Sequence, residues 1–271
     1  MSESELSPLT IAVLVKYVPD TQFDRHLAAG DGRLDRSESI LSELDEYPLE
    51  AALQLAEERG GEAAGNRIIA VTMGPEAAVG AVKKALQIGA YEGVHLTDPA
   101  LAGSDLAATS LALAALIKKL GSVDLVLTGM SSTDGETALL PALLAGRLDL
   151  PQLTLASSIE ISERSITVHR DGDAYTEVIE SVLPAVVSVT DQINQPRYPN
   201  FKGIMAAKKR QISVLSLADL ELSAEQVGSA GSWTEVQQAR PRPARSAGVV
   251  ITDDGDAGLK LVDFLAEQNL L

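Results

Sequence analysis

Apolar residues gather in short continuous runs rather than in strict alternation. Residues 9–15 (LTIAVLV), 67–72 (RIIAVT), 93–96 (GVHL), 124–128 (DLVLT) and 184–190 (PAVVSVT) each have strand length. Such runs fit strands buried on both faces of a sheet. Between them, apolar positions recur at helical spacing. Leu49, Ala52, Leu53 and Ala56 mark a helix over 45–58, approached through 42–45 and ended by Gly60-Gly61. Further helices are predicted over 77–88, closed by Gly89, over 106–120, and over 138–147. Residues 16–20 read as an exit loop, 31–35 as a turn, and 151–154 as the start of another strand. Alternating strands and helices imply a mostly parallel, doubly wound α/β sheet with helices on both faces. The pattern then changes. Residues 158–161, 166–170 and 176–180, joined by turns at 162–164 and 171–174, predict an added antiparallel hairpin region. Past Thr190 periodicity weakens, 228–247 reads as an extended arm, and a last helix is predicted over 257–268.

One stretch, 124–147, organises the rest. An apolar strand leads into Gly129-Met130-Ser131-Ser132-Thr133-Asp134-Gly135-Glu136-Thr137, and a helical run follows. Ligands of open parallel sheets sit beyond the carboxyl ends of strands. A helix start offers unpaired N–H groups and a positive dipole end that suit phosphate. Gly129 and Gly135 let the backbone bend close to a ligand, and Thr137 is placed to cap the helix or to donate to a phosphate. The same residues fit a βα loop with ordinary capping, and nothing within the stretch decides between the two.

Composition narrows the classes. At 271 residues with 45% hydrophobic content, the chain has enough apolar mass for a sizeable core. A net charge of −16 opposes nucleic acid as the main partner, and 3% aromatic residues oppose a base-stacking platform. The absence of cysteine excludes disulfides, thiolate metal sites and thiol catalysis. His26, His95 and His169 are scattered, without metal-ligand spacing. No eighteen-residue apolar run is present and the first residues are acidic, so no membrane insertion is expected and the cytoplasm is the expected location. No dinucleotide fingerprint, Walker loop or nucleophile elbow occurs. No catalytic machinery is therefore expected. One island departs from the acidic background. From Gln192 to Ala218 there is no Asp or Glu, yet Arg197, Lys202, Lys208, Lys209 and Arg210 are interleaved with Tyr198, Pro199, Phe201 and Met205. It reads as a loop presenting apolar groups among charges.

That island carries a resemblance. The run Asn194-Gln195-Pro196-Arg197-Tyr198-Pro199-Asn200-Phe201-Lys202-Gly203-Ile204-Met205-Ala206-Ala207-Lys208-Lys209 resembles the N-x-P-R-Y/F segment ending in I-M-x-A-K-K of electron transfer flavoprotein beta subunits, the FixA-type family. Supporting matches are 15–21 (VKYVPDT), 71–75 (VTMGP), 85–90 (ALQIGA), 150–154 (LPQLT) and the 129–137 loop. The resemblance covers nearly the whole chain. It implies an adenine-nucleotide-binding α/β domain over 1–190, and a partner-recognition loop and C-terminal arm over 191–271.

It further implies a heterodimer with an alpha subunit that holds most of the FAD. The beta subunit closes over that FAD and binds a structural AMP, replaced in some bifurcating members by a second FAD. Electrons would pass from acyl-CoA dehydrogenases of fatty acid oxidation, or related flavoproteins, to a quinone oxidoreductase or another acceptor. The nucleotide site would use Leu14, Lys16, Ser42, Met73, Gly74, Gly129, Ser131, Ser132, Thr133, Asp134, Gly135, Glu136 and Thr137. Partner recognition would use Arg197, Tyr198, Phe201, Ile204, Met205, Lys208 and Lys209. Ser42-Glu43 stands where the family often has Asn-Pro, and Leu139 where it often has Gln. The competing reading is a stand-alone adenine-nucleotide sensor of universal-stress type, which would need neither the island nor the arm.

Overall fold

The computed structural model describes residues 6–28, 32–240, 243–244 and 248–271. Met1–Gln238 belongs to one compact unit and Ala239–Leu271 to a second. The chain enters through β1 (Thr10–Leu14), followed by short strands β2 (Tyr17–Pro19) and β3 (Ser39–Leu41). Then come α1 (Glu46–Glu57), β4 (Arg67–Met73), α2 (Val79–Ile88), β5 (Glu92–Leu96), α3 (Leu106–Lys119), β6 (Leu125–Gly129), α4 (Leu140–Leu148) and β7 (Gln152–Ala156). An antiparallel meander of β8 (Ser158–Ser162), β9 (Ser165–Asp171) and β10 (Thr176–Val182) follows, then β11 (Ala185–Val189). The first unit continues through α5 (Phe201–Ala207), β12 (Ile212–Leu215) and a single helical turn, α6 (Gly228–Gly231).

Seven strands form one sheet in the order β12-β5-β4-β1-β6-β11-β7, and every pairing in it is parallel. The chain builds outward from β1 through β4 to β5, then crosses to the other side of β1 to lay down β6. The strand order therefore reverses at β1, where a crevice opens at the carboxyl ends of the strands. Successive residues of each strand face opposite ways. Ile11 and Val13 pack with α1 and α2 on one face, while Ala12 and Leu14 pack with α3 and α4 on the other. This double burial is the cause of the continuous apolar runs in the sequence. Among the described residues no helix is long and apolar enough to cross a membrane.

The α/β architecture, parallel sheet and separate antiparallel meander agree with the sequence reading, with local corrections. Residues 17–19 are not plain loop, because Tyr17, Val18 and Pro19 pair antiparallel with Leu41, Ile40 and Ser39. Three residues containing a proline carry too little alternation to announce a strand. Residue 31 of the turn expected at 31–35 lies outside the described residues, as do 241, 242 and 245–247 of the arm. The helix expected from residue 138 begins at Leu140, so Thr137 does not cap it, and Leu139 occupies the cap position without a side-chain bond. Glu136 and Ala138, both at φ 52, hold the chain in left-handed conformations that helix cannot continue. The basic island is not one loop. Asn200 caps α5 by accepting from the Gly203 amide at 2.8 Å, and β12 then adds an edge strand beside β5. Gly203 is required there, since a Cβ would lie 2.6 Å from the Gln87 carbonyl at the end of α2. In the second unit, α7 (Ala257–Glu267) occupies the span predicted for the last helix, with Leu259 and Val262 exposed.

Candidate functional site

The crevice at the switch point is a cavity of ≈ 270 Å³. Its floor is the carboxyl end of the central strands: Leu14, Val15 and Lys16 after β1, Val71 and Met73 of β4, and Thr128 and Gly129 of β6. Residues 130–138 wrap one side through Met130, Ser131, Ser132, Gly135, Thr137 and Ala138. The start of α4 supplies Leu140 and Pro141, and the start of α3 supplies Ser104, Asp105, Leu106 and Thr109. Asp45, at the entry to α1, closes the wall. Gly129 is needed at this crossing, because a Cβ would sit 2.5 Å from the Leu44 carbonyl.

Of the residues expected from the sequence, Leu14, Lys16, Met73, Gly129, Ser131, Ser132, Gly135 and Thr137 line the cavity. Asp134 stands just behind the wall, where its side chain is 3% exposed. It accepts from Lys16 Nζ at 2.8 Å and from Arg36 Nη2. Burial alone would raise its pKa, but the Lys16 charge and the bonds from Lys16, Arg36 and Ser132 outweigh burial and hold it below the usual carboxylate range. Arg25 donates to the Thr133 carbonyl at 2.5 Å and lies 3.8 Å from the mostly exposed Glu136. Gly74 is off the wall. Ser42 is fully buried behind the lining, with its amide donating to the Lys16 carbonyl at 2.9 Å and its Oγ unpartnered among the described residues.

Two further hydroxyl oxygens, Ser131 Oγ and Thr133 Oγ1, are buried in the 129–137 loop without a hydrogen-bond partner among the described residues. Native proteins rarely leave such groups unsatisfied. Ser131 lines the cavity with Lys16 just after β1, whereas Thr133 lies outside the lining. The lining combines hydroxyls and one ammonium with two carboxylates, Asp45 and Asp105, and no cluster of three metal-ligating side chains occurs among the described residues.

Sequence reading missed Asp45, Asp105 and Arg36. Asp45 is buried and accepts from the Lys16 amide at 2.6 Å. Burial pushes its carboxyl up to about 7, against the pull of that amide and of the Lys16 charge, with the Asp134 charge adding to the rise. Asp105 caps α3 by accepting from the Ala108 amide, and its other oxygen accepts from the Trp233 and Thr234 amides at 2.8 and 3.0 Å. These partners lie far away in sequence. A polar residue ahead of an apolar helical run was a visible signal for Asp105 alone.

Because the folded pKa of Asp45 exceeds its unfolded value of 3.8, the folded state binds more protons, and stability contributed at this site falls as pH rises from about 4 to about 7. Asp45→Asn keeps an acceptor for the Lys16 amide and removes the titration. Its stability relative to the parent should grow across that window, with a limiting slope of about 1.4 kcal/mol per pH unit. Urea unfolding of both chains at pH 5 and pH 8 checks this, and an unchanged difference would contradict the assignment.

Comparisons with known proteins converge on one family. Residues 33–220 match the model of the electron transfer flavoprotein domain. The chain is 42% identical over 263 residues to the "Electron transfer flavoprotein subunit beta" of Mycobacterium leprae, covering 96% of this chain and 99% of that protein. It is 36% identical to "Caffeyl-CoA reductase-Etf complex subunit CarD" of Acetobacterium woodii, covering 97% and 100%. It is 32% identical to the "Electron transfer flavoprotein subunit beta" of Megasphaera elsdenii, covering 96% and 97%. With a sheet that reverses at β1, a cavity at that reversal and relatives matched end to end, the chain belongs to the electron transfer flavoprotein family as a beta subunit.

Proposed function

We propose that this chain holds one AMP in the switch-point cavity and, joined to an alpha subunit, helps enclose the FAD that alpha mainly binds. The observation that carries the nucleotide reading is the convergence of Lys16, Ser131, Ser132 and Thr137 on the cavity at the point where the sheet reverses. The lining hydroxyls of Ser132 and Thr137 and the Lys16 ammonium would bond phosphate oxygens, and rotation of the buried Ser131 hydroxyl would add a further donor. The apolar floor of Leu14, Val71 and Met73 suits the flat face of a base. A volume of ≈ 270 Å³ falls just below the usual ligand-pocket range of about 300 to 1,000 Å³, and favours a mononucleotide over a second FAD. The AMP has a structural role in this reading. The FAD supplies the redox chemistry when bound, and this chain supplies shape and electrostatics around it.

The partner-facing element is α5 with the segment before it. Tyr198 is 88% exposed and Phe201 80% exposed, with Ile204, Met205, Lys208 and Lys209 also at the surface. An apolar anchor of this kind gives exchangeable affinity for a flavoprotein dehydrogenase, acyl-CoA dehydrogenases included. Neighbouring positive charge speeds the encounter. A quinone oxidoreductase or another acceptor would then receive the electrons. The cysteine-free composition fits a reducing compartment, and we place the complex in the cytoplasm.

Mass spectrometry of nucleotide released on denaturing the purified chain should find AMP at close to one per chain. FAD from the chain purified without alpha would replace AMP by a second flavin, and no nucleotide would refute the site. Phe201→Ala should lower kcat/KM for electron transfer from the dehydrogenase by about tenfold to thirtyfold, the range of a truncated aromatic anchor, at unchanged flavin content. Loss of flavin in that variant would show that Phe201 is structural.

A further inference from the structure

The basic island holds two kinds of cation in two different situations. Its arginines are committed within the chain. Arg197 donates to Glu50 through Nε at 2.7 Å and Nη2 at 2.9 Å, and to Glu57 through Nη1 at 2.6 Å and Nη2 at 3.0 Å. Glu50 and Glu57 lie seven residues apart on α1, two turns along one face. A single guanidinium therefore closes forks on both. The Arg197 amide also donates to Glu50, and Asn194 Nδ2 donates to the Tyr47 carbonyl at 3.0 Å. At the far end of the segment, Arg210 forks onto Glu62 and lies over the Tyr91 ring, 5.8 Å from its centroid. Lys202, Lys208 and Lys209 are exposed, and no ion pair to them occurs among the described residues.

We infer that Arg197 and Arg210 are positioning residues that brace both ends of the partner-facing segment against the body of the fold, and that Lys202, Lys208 and Lys209 carry the charge a partner meets. The inference rests on the docking role proposed above and gives Arg197 a bracing role in place of the partner contact expected from the sequence. Chemistry supports the division. The planar guanidinium matches two carboxylates bidentately and is weakly hydrated, whereas the ammonium is a hydrated point charge suited to long-range attraction. Glu50 has a side chain 5% exposed, so its charge needs a fixed partner, and Arg197 neutralises it. Hydrogen bonds from Arg197 to Glu57 and Glu50 raise the guanidinium's own pKa, leaving it charged at every working pH. Phe201 follows Arg197 by four positions, so the brace fixes the place from which the aromatic anchor projects.

The test uses the heterodimer with Arg197→Lys, Glu57→Gln, Arg210→Lys and the pair Lys208→Gln, Lys209→Gln. Glu57 is half exposed, so Glu57→Gln removes one fork without stranding a buried charge and serves if Arg197→Lys fails to assemble. Hydrogen exchange over residues 195–210 is read first, without any dehydrogenase present. The brace predicts exchange about tenfold faster or more in Arg197→Lys, Glu57→Gln and Arg210→Lys, and unchanged in the lysine pair. Rates of reduction by an acyl-CoA dehydrogenase are then measured against ionic strength. The two arginine variants, which keep their charge, should lose rate at every salt concentration with the parental salt slope, and the lysine pair should flatten that slope. Unchanged exchange in all three brace variants, or a parental salt slope in the lysine pair, would overturn the inference. Faster exchange with unaltered reduction would uphold the brace and overturn the docking role instead.

Discussion

The site depends on a buried, ionised carboxylate. Asp134 sits behind the cavity wall, almost wholly removed from water, and keeps its charge because Lys16 and Arg36 each bond one of its oxygens. Removing such a charge from water costs several kcal/mol unless paired groups restore it. Lys16 leaves the end of the central strand, Arg36 precedes β3, and Asp134 lies at the middle of the loop after β6. One carboxylate thus ties three separate pieces of chain at the point where the sheet reverses. The Gly135 amide, donating to the same carboxylate at 2.7 Å, sets the bend of the loop. Glu136 and Ala138 then take up left-handed backbone, a local strain that the knot holds in place.

The same knot accounts for Asp45. Two acidic groups share the neighbourhood of one lysine, and their environments drive them apart. Asp134 takes the cations and stays charged, while Asp45, deeper and bonded to a backbone amide, has its titration moved toward neutrality. Helix α1 extends this arrangement across the molecule. Its entry places Asp45 on the cavity wall, and Glu50 and Glu57 further along receive Arg197. A twelve-residue helix, packed through Leu49, Leu53 and Ala56, thereby joins the wall of the cavity to the base of the exposed aromatic segment.

Much of this was legible in the sequence where burial is continuous. β1, β4, β6 and β11 lie in the middle of a sheet covered on both faces, so their residues had to be apolar without interruption, and the runs showed it. The loop after β6 was legible through its glycines and its likeness to a family motif. Features set by distant partners were not. β12 has four residues and a half-exposed pattern at a sheet edge, too little for periodicity, yet it pairs along its length with β5. Arg36 and Asp105 acquire meaning through Asp134 and Thr234, which lie 98 and 129 residues away. Arg197 looked like surface charge because its two carboxylates lie 140 and 147 positions upstream.

The central claim is that the cavity beyond β1 and β6 is an adenylate seat whose phosphate end lies on the 129–137 loop. A crystal structure of the chain with its alpha subunit, purified without added nucleotide, tests this most directly. The account predicts density for one AMP, its phosphate within hydrogen-bond distance of Lys16 and Ser132 and its base over Leu14 and Met73. A crevice closed by protein side chains, or a nucleotide bound elsewhere on the chain, would contradict it.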